Sequence, residues 1–242
     1  IKNNIWYEFK NHKWQEIDSG NSLRMSMSND IYQLYFNKLH ELTKNMPDDD
    51  DAYDELQKKK FKDKLKKIEE ICGKLKKTQW KNNIMRESRE IFYDISFLNK
   101  QNSKPHLLCF NNGVYDFEHN EFRKGYNDDY ITKSTNIDYI SIDECDENIK
   151  NEINEFMEQL FPKVELREYM WEHLASTLIG TNENQTFNIY TGCGRNGKSK
   201  LVELMSMVLG DYKGSVPITL VTQGRRAIGS SSSEVVQLQG VR

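Results

Sequence analysis

Apolar residues recur along the chain in two rhythms, and the places where one gives way to the other divide it into segments. From Ile5 to Ile17 the pattern is that of a hairpin, with Trp6, Tyr7 and Phe9 before a polar turn at Asn11-His12 and Trp14 and Ile17 after it. Ser28, Asn29 and Asp30 are good helix starters, and Ile31, Leu34, Tyr35, Leu39 and Leu42 then repeat at helical spacing until Met46-Pro47 interrupts them. A second helical stripe runs through Phe61, Leu65, Ile68, Cys72 and Leu75, and a third through Ile84, Ile91, Ile95 and Leu98. These two helices are expected to pack as an antiparallel pair with a connection near Gly73 to Thr78.

Between Leu107 and Tyr139 the apolar pieces shorten and are separated by turn formers at Asn111-Asn112-Gly113, His119-Asn120 and Asn127-Asp128, which predicts a small β-meander. Helical spacing returns through Ile149, Ile153, Phe156 and Leu160, stops near Phe161-Pro162, and resumes through Leu166, Met170, Leu174 and Leu178 up to Gly180. Phe187 to Tyr190 then reads as a short buried strand. It runs into Gly192-Cys193-Gly194-Arg195-Asn196-Gly197-Lys198-Ser199, which fits the phosphate-binding pattern G-x-x-x-x-G-K-[ST] throughout. Leu201, Leu204, Met205 and Val208 mark the helix that such a loop opens, and Gly210 stands at its end.

The loop carries the chemistry. Backbone amides must turn inwards to surround phosphates, and side chains at Gly192 or Gly197 would obstruct the turn or the close approach. Lys198 is the candidate to neutralise the β- and γ-phosphates of ATP, and Ser199 the candidate hydroxyl ligand of Mg²⁺. Gly192, Cys193, Gly194, Arg195, Asn196, Gly197 and Lys200 complete the expected nucleotide-binding set, with Asn196 orienting the loop or the γ-phosphate.

Composition narrows the rest. The formal charge of -3 over 242 residues offers no global field for nucleic acid, so basic surface must be local. The lysines clustered from Lys58 to Lys77 are one such place, although Asp63, Glu69 and Glu70 are interspersed and a solvated helix face is the plainer reading. Arg225 and Arg226 are a weaker candidate for nucleic-acid contact. The four acids from Asp48 to Asp51 read as a solvated loop, and Gly229 to Ser233 as a flexible one. Four scattered cysteines argue against a zinc site or a disulfide framework. No apolar run approaches the roughly 20 residues of a membrane span, so no membrane association is expected. The start at Ile1 and the stop after Gly240-Val241-Arg242 read as cuts from something longer.

Asn196 directly before Gly-Lys-Ser resembles the superfamily 3 helicases of DNA viruses, phages and plasmids. A second match is separate from it: Leu107 to Phe117, then Glu121-Phe122-Arg123 and Asp129 to Lys133, is similar to the signature of the domain that precedes the helicase in poxvirus-like primase-helicases of large DNA viruses. The resemblance implies a primase domain upstream, ATP hydrolysis by a ring, usually a hexamer, and movement on single-stranded or forked DNA. It also implies a replication site in the cytoplasm of an infected cell. In that family the carboxylate-bearing second motif, a polar sensor and an arginine finger follow the phosphate loop, and the phrase Glu234 to Arg242 leads into the strand with the Mg²⁺ carboxylates. The chain alone is therefore expected to be inactive.

The expected fold class is α+β: a mostly helical linker region with an N-terminal hairpin over 1–103, a β-meander over 104–142, helices over 143–180, and an incomplete α/β phosphate-loop domain over 181–242. Two other functions fit the loop: a small-molecule or nucleotide kinase, and a non-catalytic adaptor joining primase to helicase.

Overall fold

In the computed structural model, residues 5–45, 55–181, 183, 185–222, 238 and 240–242 are described. Two antiparallel strands, β1 (Ile5–Lys10) and β2 (Lys13–Asp18), form the expected hairpin. Asn11 and His12 both take positive φ, 50° and 65°, as a tight two-residue turn between twisted strands requires. The chain divides into two compact units, one of residues 1–8 and 16–95, the other of residues 9–15 and 96–242.

The first unit is helical. Its first helix begins earlier than Ser28-Asn29-Asp30: α1 (Asn21–Ser26) runs through a π-helical turn at Met27–Ile31 into α2 (Tyr32–Lys44). Ser28 sits inside the helix because tertiary contacts absorb its polar groups, while Asn29 and Asp30 are exposed to water. Lys76 Nζ donates to the Ser28 carbonyl at 2.8 Å, Lys81 Nζ to its hydroxyl at 2.9 Å, and that hydroxyl to the carbonyl of Arg24. Helix α3 (Glu55–Lys76) buries Ile68, Cys72 and Leu75. With Leu42 of α2, and with Leu39, Phe61 and Leu65 at the margin, Ile68 and Cys72 form one core, while Met27, Leu75 and Met85 form another with Trp6 and Leu23 beside it.

Helix α4 (Thr78–Ile91) departs from expectation in two ways. Its inward residues are Met85 and Ser88, whereas Ile91 and Ile95 are 74% and 81% exposed. The connection from α3 is Lys77 alone, and α3 packs chiefly on α2 rather than pairing along its length with α4. The Asp48 to Asp51 run lies outside the described residues.

The second unit opens with α5 (Phe97–Lys100) and a three-stranded antiparallel meander, β3 (Leu107–Cys109), β4 (Val114–Asp116) and β5 (Glu121–Arg123), in sequential order. Leu107 pairs with Asp116 and Asp116 with Glu121, so the register is that of two short hairpins. The hairpin tip belongs to this unit: the Trp14 amide donates to the Ile131 carbonyl at 2.7 Å and its indole to that of Asn127 at 2.8 Å. Helix α6 (Glu147–Leu160), capped by the Asp146 carboxylate on the Asn148 amide, α7 (Val164–Ser176) and α8 (Lys198–Leu209) share a core of Met157, Met170, Leu174 and Leu201. A short α9 (Thr219–Thr222) follows. The overall class is α+β.

The strand expected at Phe187 to Tyr190 is not formed, and Phe187 and Ile189 are 76% and 73% exposed. A strand needs a neighbour to take its backbone hydrogen bonds, and none of the described strands lies in a sheet with this segment.

Candidate nucleotide-binding site

The loop leaves Tyr190 and Thr191 and closes onto α8. Gly194, Arg195 and Gly197 take φ of 83°, 50° and 79°, all left-handed, which turns the backbone sharply just before the helix. No side chain caps α8, so its N-terminal amides and the positive end of its dipole are left to the loop.

Three of the expected residues come together. Lys198 Nζ donates to Asn196 Oδ1 at 2.7 Å, and a methyl at Gly192 would run into both the Asn196 amide and the Lys198 ammonium. Gly192 is thus a close-approach glycine: it leaves room for the pair that holds the cation over the loop. Behind them, Leu160 at the end of α6 stands against Gly197, so the helical core also fixes where the loop ends.

The other expected residues are placed differently. Cys193, Gly194 and Arg195 are exposed in the loop, and Ser199 lies exposed in the first turn of α8. Lys200 is engaged elsewhere: its ammonium meets Glu203 at 2.8 Å along the helix, which raises its pKa and lowers that of Glu203. Arg225 and Arg226 lie outside the described residues.

Sequence reasoning did not identify what holds α8. At its C-terminal end Gly210 adopts a φ of 52° and lies so close to the Thr135 backbone that any side chain there would collide with it. Asp211 accepts hydrogen bonds from the Asn136 amide at 2.7 Å and the Ser134 N–H at 3.1 Å, and pairs with Lys13 at 3.4 Å. Burial opposes its charge, but these donors outweigh it and hold the carboxyl below the ordinary range. The Tyr212 hydroxyl accepts from the Cys109 amide and donates to the Lys133 carbonyl, both at 3.1 Å. Burial raises the pKa of that phenol and pushes the Cys109 thiol up to about 11, so both stay neutral in the core. The helix opened by the loop is therefore bolted to the β-meander. The only trace in the sequence is a glycine at a helix end followed by two side chains able to hydrogen-bond.

The meander contains an ionic core of its own. Arg123 reaches Asp129 through two nitrogens, at 2.8 and 3.1 Å, and lies 3.6 Å from Asp116; both carboxylates are buried. Burial opposes both charges. Hydrogen bonds from Arg123 and the Tyr126 amide at Asp129, and from His119 and its amide at Asp116, lower both pKa values nonetheless. His106, Asp116 and Glu118 bring possible metal-ligand atoms within 4.8 Å of one another. Asp116 is already satisfied by His119 at 3.1 Å and by backbone amides, and the nearby guanidinium disfavours a cation, so these contacts belong to the ionic core. No helix among the described residues is long and apolar enough to cross a membrane.

Comparison with known proteins adds to this geometry. The profile of a family described as "D5 N terminal like" matches residues 1–162. A protein of Acanthamoeba polyphaga mimivirus named "Putative helicase" is 40% identical over 242 residues, the whole of this chain and 25% of its own length. Another so named, from Invertebrate iridescent virus 3, is 29% identical over 177 residues, covering 73% of this chain and 19% of its own length. A protein of African swine fever virus named "Putative primase" is 26% identical over 183 residues, 74% of this chain and 19% of its own. The chain thus spans a quarter or less of each of these relatives.

Proposed function

The chain belongs to the D5 N terminal like family and is kin to proteins of large DNA viruses named as helicases and primases, and on that footing we propose that it is part of an ATP-driven primase-helicase of viral DNA replication. The observation that carries the reading is the left-handed loop from Gly194 to Gly197, with the Lys198–Asn196 pair over Gly192 and an uncapped helix behind it. Those features fit the phosphates of ATP: amides of Gly194 to Gly197 surround them, Lys198 neutralises charge, and Ser199 offers a hydroxyl to Mg²⁺.

In this reading Asn196 has a definite task. It holds the Lys198 ammonium in place at 2.7 Å before nucleotide arrives, so little lysine freedom is left to lose on binding. Bound ATP-Mg supplies the phosphoryl bond whose hydrolysis drives the motor, and this chain contributes the phosphate-binding half of that site. The superfamily 3 ring, single-stranded or forked DNA as track, and a primase domain earlier in the same protein complete the proposal. The family match over residues 1–162, which includes the segment around Gly113, counts against the kinase alternative.

The test uses the intact viral protein. ATP hydrolysis stimulated by single-stranded DNA, and reduced at least a hundredfold by Lys198→Ala, is the expected result. An intact protein whose hydrolysis ignores that substitution would point to another ATP site and leave this chain as an adaptor.

A further inference from the structure

The first unit contains a charge asymmetry that the nucleotide site does not explain. Helices α3 and α4, Glu55 to Ile91, hold thirteen lysines and arginines against six acids, a net of +7 in a chain whose total is -3. We infer that one flank of α3, carrying Lys60, Lys64 and Lys67 and leading to Trp80, is a contact surface for the phosphate backbone of a single-stranded nucleic acid.

The placement follows from helical periodicity. Phe61, Leu65, Ile68, Cys72 and Leu75 face the cores shared with α2, with Met27 and with Met85 in the middle of α4. Lys60, Lys64 and Lys67 stand at i, i+4 and i+7, so they fall in one row beside that buried stripe. All three are exposed, and among the described residues none of them makes a hydrogen bond or ion pair. The row covers about 10 Å at roughly 1.5 Å per residue, enough to follow consecutive phosphates with flexible side chains. Lys74 continues it, and its ammonium lies 4.8 Å from the ring centroid of Trp80, which is still 42% exposed. Of the neighbouring acids, Glu70 is held by Lys74 at 3.9 Å, and Asp63, three residues after Lys60 and four before Lys67, borders the row as a single acid against its four lysines.

Like charges left unpaired at such spacing repel one another, and a polyanion relieves that repulsion. Lysines are point charges without the planar fork that reads a base, so the row would bind backbone rather than sequence. A lysine row ending on an open indole matches the pairing of electrostatic groove and stacking platform found where single strands bind. The identity of the polyanion rests on the DNA-handling reading above; the surface itself does not depend on the nucleotide site.

Anisotropy of a labelled oligo-dT, measured with this chain over a range of salt and without nucleotide, tests the inference. Lys60→Gln, Lys64→Gln and Lys67→Gln together should weaken binding about tenfold at low salt and flatten the log-log salt slope by about 2, since each phosphate contact on a single strand contributes roughly 0.7. Glutamine keeps the helix propensity of lysine, and an unchanged circular dichroism spectrum verifies that α3 persists. Substituting Lys38, Lys150 and Lys213 in the same way removes equal charge elsewhere and should leave the slope near its original value. Trp80→Ala should lower affinity with the slope intact. No binding by the original chain, an unchanged slope in the triple variant, an equal loss in the control, or poly-glutamate bound as well as oligo-dT would each overturn the inference, the last in favour of an acidic protein partner. The Lys60, Lys64 and Lys67 triple variant should bind a fluorescent ATP analogue as the original chain does, so failure here and failure of the ATP site are separate results.

Discussion

Arg123 joins two buried carboxylates, and removing it would leave Asp129 with only the more exposed Lys104 at 3.8 Å and Asp116 with only the exposed His119 at 3.1 Å. Arg123→Met should therefore destabilise the chain by about 3 kcal/mol, read by chemical denaturation. The same network sets an acid limit. Both aspartates have folded-state pKa values below those of the unfolded chain. Their contribution is thus complete above the ordinary carboxylate range and is lost as pH falls through the lower folded values. Stability against pH should drop below about 4 in the original chain, and a flat profile there would contradict this assignment. At the loop, Asn196 and Lys198 are coupled by one hydrogen bond. Asn196→Ala should weaken ATP binding by about tenfold while leaving the fold intact, which titration of a fluorescent analogue would read.

Helix α8 shows how an element can be legible while its anchorage is not. Its apolar spacing from Leu201 to Val208 and the terminal Gly210 were enough to predict it. The bolt through Asp211 and Tyr212 depends on partners some eighty to a hundred residues away, which no local pattern shows. Tyr212→Phe should cost about 1 to 2 kcal/mol, because the Cys109 amide and the Lys133 carbonyl each lose a buried partner. Gly210→Ala should cost at least as much from its positive φ and the Thr135 backbone beside it; thermal denaturation distinguishes both from a neutral surface change.

Where the fold departs from the sequence pattern, the causes are physical. Ser28-Asn29-Asp30 resembled a helix start because such side chains compete for backbone groups, but lysines from α3 and α4 satisfy Ser28 within a π turn. Spacing predicts Ile84 and Ile91 as an inward stripe, yet Met85 and Ser88 face the core, since α4 meets its neighbours near its middle rather than along a full face. Phe187 to Tyr190 had strand-like residues without a partner strand. In the loop, spacing marks Gly192 to Lys200 as one set, and of these Gly192, Asn196 and Lys198 lie together while Lys200 pairs with Glu203.

At the scale of the whole molecule, the two units carry different chemistry: a helical unit with a basic stretch, and a unit in which meander, helices and phosphate loop share cores and hydrogen bonds. The relatives are roughly four times as long as this chain, which matches a quarter or less of each. The reading rests on nucleotide binding at the loop, and the direct measurement is Mg²⁺-dependent binding of a fluorescent ATP analogue to the intact parent protein beside its Lys198→Ala variant, both verified as folded. Saturable binding that needs Mg²⁺ and disappears with Lys198→Ala is the result the account requires. Absence of binding in the original protein, or binding indifferent to Lys198→Ala, would contradict it.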